Sequence, residues 1–360
     1  MRVGIITFHF VNNYGGVLQT FALQKTIKDK CNADAVIVDY RNWFIRLTDW
    51  IRLFPITTNQ KEFRSGINTM KARRERLDKF SSFLAEKTTL TRKYTSTAAI
   101  KRDLPECDKF ICGSDQIWNP FLTGGVAGAY YCSFVKERNR KFAYAPSFGT
   151  DKISPRHKKK MESYIKELSA ISVREKDSIQ YMKEHIGREA VQLIDPVFLV
   201  SAAEWKKEAV KIDGIPEKYI LLYIMQRDET VYSYAKKLKE QFHLPIIEIS
   251  RYGYQPSFVD ISLINIGPQE FLGLFLHATY VVSNSYHGLI FSIVFDKKLC
   301  LVPSKRFRSR INNLLALLDR KEHTLDEDDL LISFSDPTLR GCILKEREKS
   351  IHYLQENIWS

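Results

Sequence analysis

No stretch of the sequence approaches the ~18 consecutive apolar residues a membrane span requires. The opening segment, Met1-Arg-Val-Gly-Ile-Ile-Thr-Phe8, has neither the long apolar core nor the cleavage site of a secretory signal, and reads as a first strand. The six cysteines, at 31, 107, 112, 132, 300 and 342, form no Cys-x-x-Cys pair and no zinc-like spacing with histidine. Neither a disulfide scaffold nor a metal site is therefore expected; the cysteines read as core residues of a cytoplasmic protein. No Gly-x-Gly-x-x-Gly follows the first strand, so a dinucleotide is not indicated. The acidic turn Asp326-Glu-Asp-Asp329 does not have calcium-loop spacing and reads as surface. No recognised nucleic-acid motif accompanies the basic charge, so no nucleic-acid partner is expected.

What is present is enough apolar residue for packed cores, 44% of a 360-residue chain, a length that favours two domains over one. The net charge of +13 is concentrated: residues 41–103 hold 15 Lys/Arg against 6 Asp/Glu. Within that stretch Trp43, Phe44, Leu47, Trp50, Ile51 and Phe54 recur at three- and four-residue steps, which predicts an amphipathic helix over 41–56. It packs on its own domain or lies in a membrane interface; peripheral contact with the anionic inner face of the membrane is the hypothesis it raises. A second helix, Lys/Arg-studded, is expected around Met70 to Leu84, and 41–103 as a whole reads as a basic insertion in the first domain.

Two kinds of segment alternate along the rest: short β-branched or apolar runs, and helical stretches joined by polar turns. Val3–Phe8 leads through Asn12-Asn-Tyr-Gly-Gly16 into a helix at Val17–Ile27, the first strand–turn–helix unit of a Rossmann-like domain. Turns at the carboxyl ends of such strands are where open α/β sheets bind ligands. Asn12, Asn13 and Tyr14 offer donors and acceptors there, and Gly15 lets a ligand approach the backbone. Asp108–Cys112 similarly delivers Gly113-Ser-Asp-Gln116. The hydroxyl of Ser114, carboxylate of Asp115 and amide of Gln116 suit sugar hydroxyls better than phosphate, since Asp115 would repel an anion. Further strands are expected at 141–145, 170–173, 191–194, 219–224, 244–250 and 298–302, with helices at 155–169, 229–242, 267–277, 311–320 and 338–357.

The densest segment is Tyr280-Val-Val-Ser-Asn-Ser-Tyr-His-Gly-Leu-Ile-Phe-Ser-Ile-Val-Phe295, a buried strand followed by small polar residues and then an apolar helix. Ser283 or Ser285 would cap that helix and put His287 in its first turn, where free N–H groups favour an anion. A histidine there can exchange a proton with the bound group. The alternative is a capping turn with a structural histidine.

Six segments, in order, resemble the polysaccharide pyruvyl transferases: Asn12–Gln19, Gly113–Asn119, Tyr144–Gly149, Ser172–Glu175, Asp195-Pro196 and Ser285–Gly288. The resemblance implies an α/β fold of two facing Rossmann-like domains with parallel sheets, similar to the GT-B arrangement. The N-terminal domain, on the acceptor side, would span 1–195 with the insertion at 41–103, and the donor-side domain 196–335. Residues 336–360 form a last helix packing back on the first domain. It also implies transfer of pyruvate from phosphoenolpyruvate, as co-substrate, onto a sugar as a ketal, without metal or other cofactor. By the same resemblance His287 and Arg174 belong to the donor site.

That chemistry is compatible with the residues. A donor carrying phosphate and carboxylate needs cationic or N–H-rich contacts, for which Arg174, Arg306, Arg308 and the helix start at Ser285, His287 and Gly288 are candidates. His287 is the expected proton-transfer group, and Asp115 the expected base or positioning group for an acceptor hydroxyl; a turn carboxylate capping N–H groups is the alternative for Asp115. The acceptor would be a sugar or lipid-linked oligosaccharide of a cell-envelope polysaccharide. Two other functions share the pattern: a nucleotide-sugar-dependent GT-B glycosyltransferase and a non-catalytic carbohydrate-binding relative.

Overall fold

The computed structural model of the chain describes residues 1–51, 69–150, 152–250, 255–304, 308–320 and 330–360. It divides into two units. The first comprises Met1–Trp50, Leu84–Val200 and Leu344–Ser360, the second Ile51–Phe83 and Ser201–Ile343.

In chain order, β1 (Arg2–Ile6), α1 (Tyr14–Lys30), β2 (Asp34–Ile37) and α2 (Trp43–Ile51) are followed by α3 (Met70–Lys87) and α4 (Thr97–Arg102). Then come β3 (Lys109–Cys112), α5 (Pro120–Thr123), β4 (Lys141–Ala143), α6 (Pro155–Lys166), β5 (Ser172–Val173), α7 (Asp177–Tyr181) and β6 (Val191–Gln192). β1 to β4 form one parallel sheet in the order β2-β1-β3-β4. Its strands are nearly continuous buried runs, as a parallel sheet covered on both faces requires. β5 and β6 pair separately. Ser172 ties them to β4: its hydroxyl donates to Ala143 O and accepts from Ala145 N, both at 2.9 Å. The order reverses between β1 and β3, so the loops leaving those two strands flank the switch point.

The second unit runs α8 (Ala202–Glu208), β7 (Ile220–Tyr223), α9 (Glu229–Phe242), β8 (Ile246–Ile249), β9 (Ile261–Leu263), α10 (Pro268–His277) and β10 (Tyr280–Ser283). It ends with α11 (Tyr286–Val294), β11 (Lys298–Leu301), α12 (Arg308–Leu317) and the first turns of α13 (Pro337–Trp359). The sheet is parallel, in the order β11-β10-β7-β8-β9, with its switch point between β7 and β10. α9 closes one face through Val231, Tyr232, Ala235 and Leu238. The remainder of α13 belongs to the first unit, where Tyr353 Oη donates to Ala143 O (2.8 Å) and Trp359 Nε1 to Cys31 O (2.9 Å).

Two expectations about domain extent are corrected, and a third, about α2, is resolved. The first unit runs to Val200 rather than 195 before the chain leaves it, and it resumes at Leu344. The basic stretch 41–103 is not one insertion in the first domain: Ile51–Phe83 groups with the second unit and the rest with the first. α3 is tied to the second unit because Lys79 Nζ donates to Glu270 Oε1 (2.5 Å) and Asn265 Nδ2 to Glu75 Oε2 (2.9 Å). Finally, α2 has buried Ile45 in the core and Phe44 against Gly124, with Trp43 (62%) and Leu47 (44%) exposed, so it both packs and presents an apolar edge. Residues 52–56 of the expected helix, and the acidic turn 326–329, lie outside the described residues.

Candidate functional site

In the first unit the turn after β1 is shorter than its sequence suggests. Helix α1 already begins at Tyr14, so Gly15 and Gly16 are its first turn, and Asn13 is its N-cap, Oδ1 accepting from Gly15 N at 3.1 Å. An Asn cap of this kind is worth about 1 kcal/mol over Ala, so Asn13 has a structural task before any ligand arrives. Asn12 stays half-buried and Tyr14 is buried. Gly16 is needed for close approach: a Cβ there would lie 2.8 Å from Val11 Cγ2 and 3.5 Å from Asp115 Oδ2. The two polar turns foreseen separately are thus brought together at the β1/β3 switch point.

The turn after β3 is built around Asp115. At Gly113, with φ +134°, an added Cβ would meet Tyr144 O at 2.0 Å, so only glycine fits. Ser114 is fully buried; its hydroxyl donates to Ala145 O (2.8 Å) and its carbonyl accepts from Thr7 Oγ1 (2.8 Å), which makes it a strut of the turn. Asp115 is left-handed at φ +70°, a conformation Asp tolerates, and its Oδ1 accepts from Gln116 N at 2.8 Å. Gln116 packs against Gly149 and, through Oε1, accepts weakly from Asn119 Nδ2 (3.4 Å).

Arg174, delivered by β5, joins Asp115 in the first unit. Its Nη1 donates to Asp195 Oδ2 (2.6 Å) and Nη2 to Asp115 Oδ1 (3.4 Å), while Nε lies 3.6 Å from Glu175 Oε1. Ser147 Oγ donates to the same Glu175 Oε1 at 2.7 Å. A guanidinium buried among three carboxylates is a poor anion receptor. These contacts position Asp115, and they do not favour the donor-binding role that the resemblance implies for Arg174.

A further buried network stands near the carboxyl ends of β1 and β2. His9 Nε2 meets Asp39 Oδ1 at 2.9 Å, Arg41 Nη2 donates to Asp39 Oδ2 at 3.1 Å, and Arg41 Nε bonds the same carboxylate. Burial pushes the Asp39 carboxyl up, but the His9 and Arg41 hydrogen bonds and charges outweigh it and hold it at about 2. Sequence reading overlooked this network; its one signal is a carboxylate ending the apolar run Ala35–Val38.

In the second unit the segment after β10 turns sharply. Ser285 is the N-cap of α11 by backbone geometry, without a side-chain cap bond; Ser283 Oγ instead donates to Tyr223 O (2.5 Å) and accepts from Ser285 N (3.1 Å). Gly288 is required because a Cβ would sit 2.2 Å from Ser283 Oγ. His287 lies buried in the first turn of α11 with the Tyr286 ring edge-on at 5.4 Å, and Arg310 Cζ is 5.6 Å from the centroid of that ring. Arg308 is exposed at the start of α12; Arg306 lies outside the described residues.

Asn284, unassigned from sequence, stitches the switch point. Its Oδ1 accepts from Met225 N and its Nδ2 donates to Gln226 O, both at 2.8 Å, joining the loops after β7 and β10. A cavity of about 230 Å³ lined by Lys211, Pro216, Tyr219 and His277 lies at the amino end of β7, away from these loops. Among the described residues there is no group of three His, Cys, Asp or Glu side chains able to hold a metal.

Known structures resemble the whole chain. The UDP-GlcNAc 2-epimerase from Neisseria meningitidis bound to UDP-GlcNAc matches with a TM-score of 0.50 at 10% identity, covering 99% of this chain and 94% of that one. The S. aureus MnaA–UDP structure gives 0.47 at 10% identity over 99% and 90%. The Streptomyces nogalater glycosyltransferase SnogD gives 0.42 at 11% over 99% and 98%. At such identities only the fold is shared: two Rossmann-like units of the GT-B class. No curated protein matches. The model of one sequence family, polysaccharide pyruvyl transferase, matches residues 13–306, a span that contains the turn after β3, the loops after β7 and β10, and His287. The chain is a member of the polysaccharide pyruvyl transferase family.

Proposed function

We propose that this protein transfers the pyruvyl group of phosphoenolpyruvate to two hydroxyls of a sugar in a polysaccharide precursor, forming a ketal and releasing phosphate. The observation that carries the reading is His287, buried in the first turn of α11 where the strand order reverses. The N–H groups of that turn suit an anionic donor, and an imidazole beside them suits proton transfer. In balanced form, a proton is added to the donor's methylene carbon as one hydroxyl oxygen bonds its central carbon. The second hydroxyl oxygen then bonds the same carbon while the C–O bond to phosphate breaks. One hydroxyl proton ends in the new methyl group and the other on phosphate. His287 is the group proposed to relay the first, and Asp115, oriented by Arg174, to position the acceptor hydroxyl.

The acceptor we propose is lipid-linked. Asn42 Nδ2 donates to Thr123 O (3.2 Å) and Gly124 backs on Phe44, so α2 and α5 share one corner of the first unit. That corner carries exposed Trp43, Leu47 and Phe121 (60%) beside exposed Arg46, a combination suited to an anionic membrane surface.

The test is phosphate release with phosphoenolpyruvate and a panel of lipid- and pyrophosphate-linked sugars, with mass spectrometry for the added pyruvate. Acceptor-dependent release with a ketal product, lost in His287→Ala, is the expected result. Turnover of a nucleotide sugar instead of phosphoenolpyruvate would replace this reading with that of a glycosyltransferase.

A further inference from the structure

The cavity at the amino end of β7 takes no part in the chemistry proposed for the carboxyl edge. It is formed where the chain between α8 and β7 crosses α10 closely. Val210 N donates to Gln269 O at 3.0 Å, and a Cβ on Gly273 would lie 1.9 Å from Val210 O, so glycine is what lets the segment lie against the helix. The buried Tyr219 fixes the end of that segment to the same helix, its Oη donating to Leu274 O at 2.8 Å. The space left between them is about 230 Å³. An apolar cavity of about 150 Å³ takes up benzene, so this volume suits a ligand of roughly ten non-hydrogen atoms.

Its lining combines two chemistries. Ile212, Ile215 and Leu274 supply apolar surface, while Lys211 and His277 supply exposed nitrogen groups. His277 ends α10, where the negative end of the helix dipole would favour its charged form. Partial desolvation, and then the charges of Lys211 and Lys297, lower its pKa instead. Lys297, half-buried after α11, is itself lowered, first by burial and then by Lys206, against the raising effect of Asp296. Four basic side chains thus gather at and beside the cavity, from α8, the segment after it, α10 and the turn after α11. The acids do not cancel them. Glu217 is the one acid among the lining residues, and Asp296 is engaged by Ser335 Oγ (2.9 Å) and Arg340 Nη2 (3.3 Å). Like charges held together in this way disfavour one another, and an anion among them relieves that.

We propose that this cavity is a binding site for a small organic anion, an acidic head group on a short apolar body, held by Lys211 and His277 beside Ile212, Ile215 and Leu274. β7 is four residues long, which sets the cavity about 10 Å from the carboxyl edge that carries Asn284 and His287. The site is therefore separate from the loops on which the pyruvyl-transfer reading rests, and it stands whether or not that reading does.

The experiment is titration calorimetry of the full chain with benzoate, with benzamide as its neutral isostere and acetate as the head group without a body. Benzoate should bind about 10-fold or more tightly than acetate, because only it buries a ring, and about 5-fold more tightly than benzamide. Equal binding of acetate leaves only surface charge, equal binding of benzamide leaves only an apolar hole, and either overturns the proposal. Lys211→Ala should weaken benzoate about 2- to 5-fold, as exposed ion pairs do, without changing benzamide. Ile215→Trp, which fills the cavity from a half-buried position, should abolish benzoate binding, with urea unfolding checking that the fold is kept. Wild-type benzoate affinity in both variants overturns the site. The His277 ring resonances, followed by NMR against pH, should titrate at higher pH with benzoate bound, since an anion opposes Lys211 and Lys297; no movement would place benzoate elsewhere. Saturating phosphoenolpyruvate should not displace benzoate, and displacement would make this the donor site and overturn the inference. Benzoate binding of the expected selectivity in a protein that ignores phosphoenolpyruvate upholds the cavity site and removes only the pyruvyl donor.

Discussion

His287 and Asp115 carry different expectations because their surroundings differ. Removing a proton-transfer group typically costs 10²–10⁴-fold in rate, so His287→Ala should lower kcat by about that factor and leave donor affinity nearly unchanged. Single-turnover kinetics with calorimetry on the same samples checks this, and equal losses in binding and rate would argue for a positioning role. Arg174→Ala leaves three carboxylates without their guanidinium. It should destabilise the fold by roughly 3–5 kcal/mol, measured by urea unfolding, with Arg174→Lys recovering only part. His287 was legible in the sequence because a β-branched run, small polar residues and an apolar helix sit consecutively around it. The surroundings of Arg174 were not, since residues 115, 175 and 195 are separated by long stretches of chain and only β3, β5 and the turn after β6 gather them. Asn13 and Ser114 show a related limit. Donor and acceptor atoms in a turn advertise binding, yet here one caps α1 and the other braces its own loop.

At the scale of elements, β8 holds the most unusual side chain. Burial pushes Glu248 from its ordinary 4.5 up to about 7, against the Ser262 hydrogen bond and the Arg227 charge, which pull it down. A folded-state value above the unfolded one means that the native protein holds the proton more tightly. Stability is therefore greatest in acid with respect to this group and falls as pH rises from about 4.5 through 7, by roughly 3 kcal/mol in total. Glu248→Gln should abolish that falling limb and raise Tm at pH 8, as followed by thermal denaturation across pH 4.5–8; a steeper fall would contradict the assignment. The strands themselves were largely legible, because parallel strands buried on both faces read as short apolar runs between turn residues. β9 was overlooked: Ile261-Ser-Leu263 is brief and half-buried, with no run to distinguish it. For α3 the periodicity gave a helix but not its sheet, since the bonds that decide this come from Asn265, Ser250 and Glu270, far along the chain.

On the scale of the whole molecule, the net charge of +13 and the Trp43–Leu47–Phe121 corner make a joint prediction. The protein should co-sediment with vesicles containing anionic lipid at low salt and much less at high ionic strength, and Trp43→Ser with Phe121→Ser should weaken this at constant salt. Equal sedimentation with neutral vesicles, or none at low salt, would remove the membrane contact. Turnover should also survive dialysis against a chelator, which assays of the dialysed enzyme would check. The chain passes from the first unit to the second at residue 51, back at 84, out again at 201 and home at 344. Neither unit is thus a continuous piece of polypeptide. Chains are made from the N-terminus at about 5–20 residues per second and usually fold domain by domain. Here the sheet that includes β1 must wait for Tyr353 and Trp359, 210 and 328 residues further along the chain than their partners, before Ala143 O and Cys31 O receive their hydrogen bonds. A sheet whose strands are made early is thus finished late, and a ribosome stalled before α13 would hold an open core that invites chaperones.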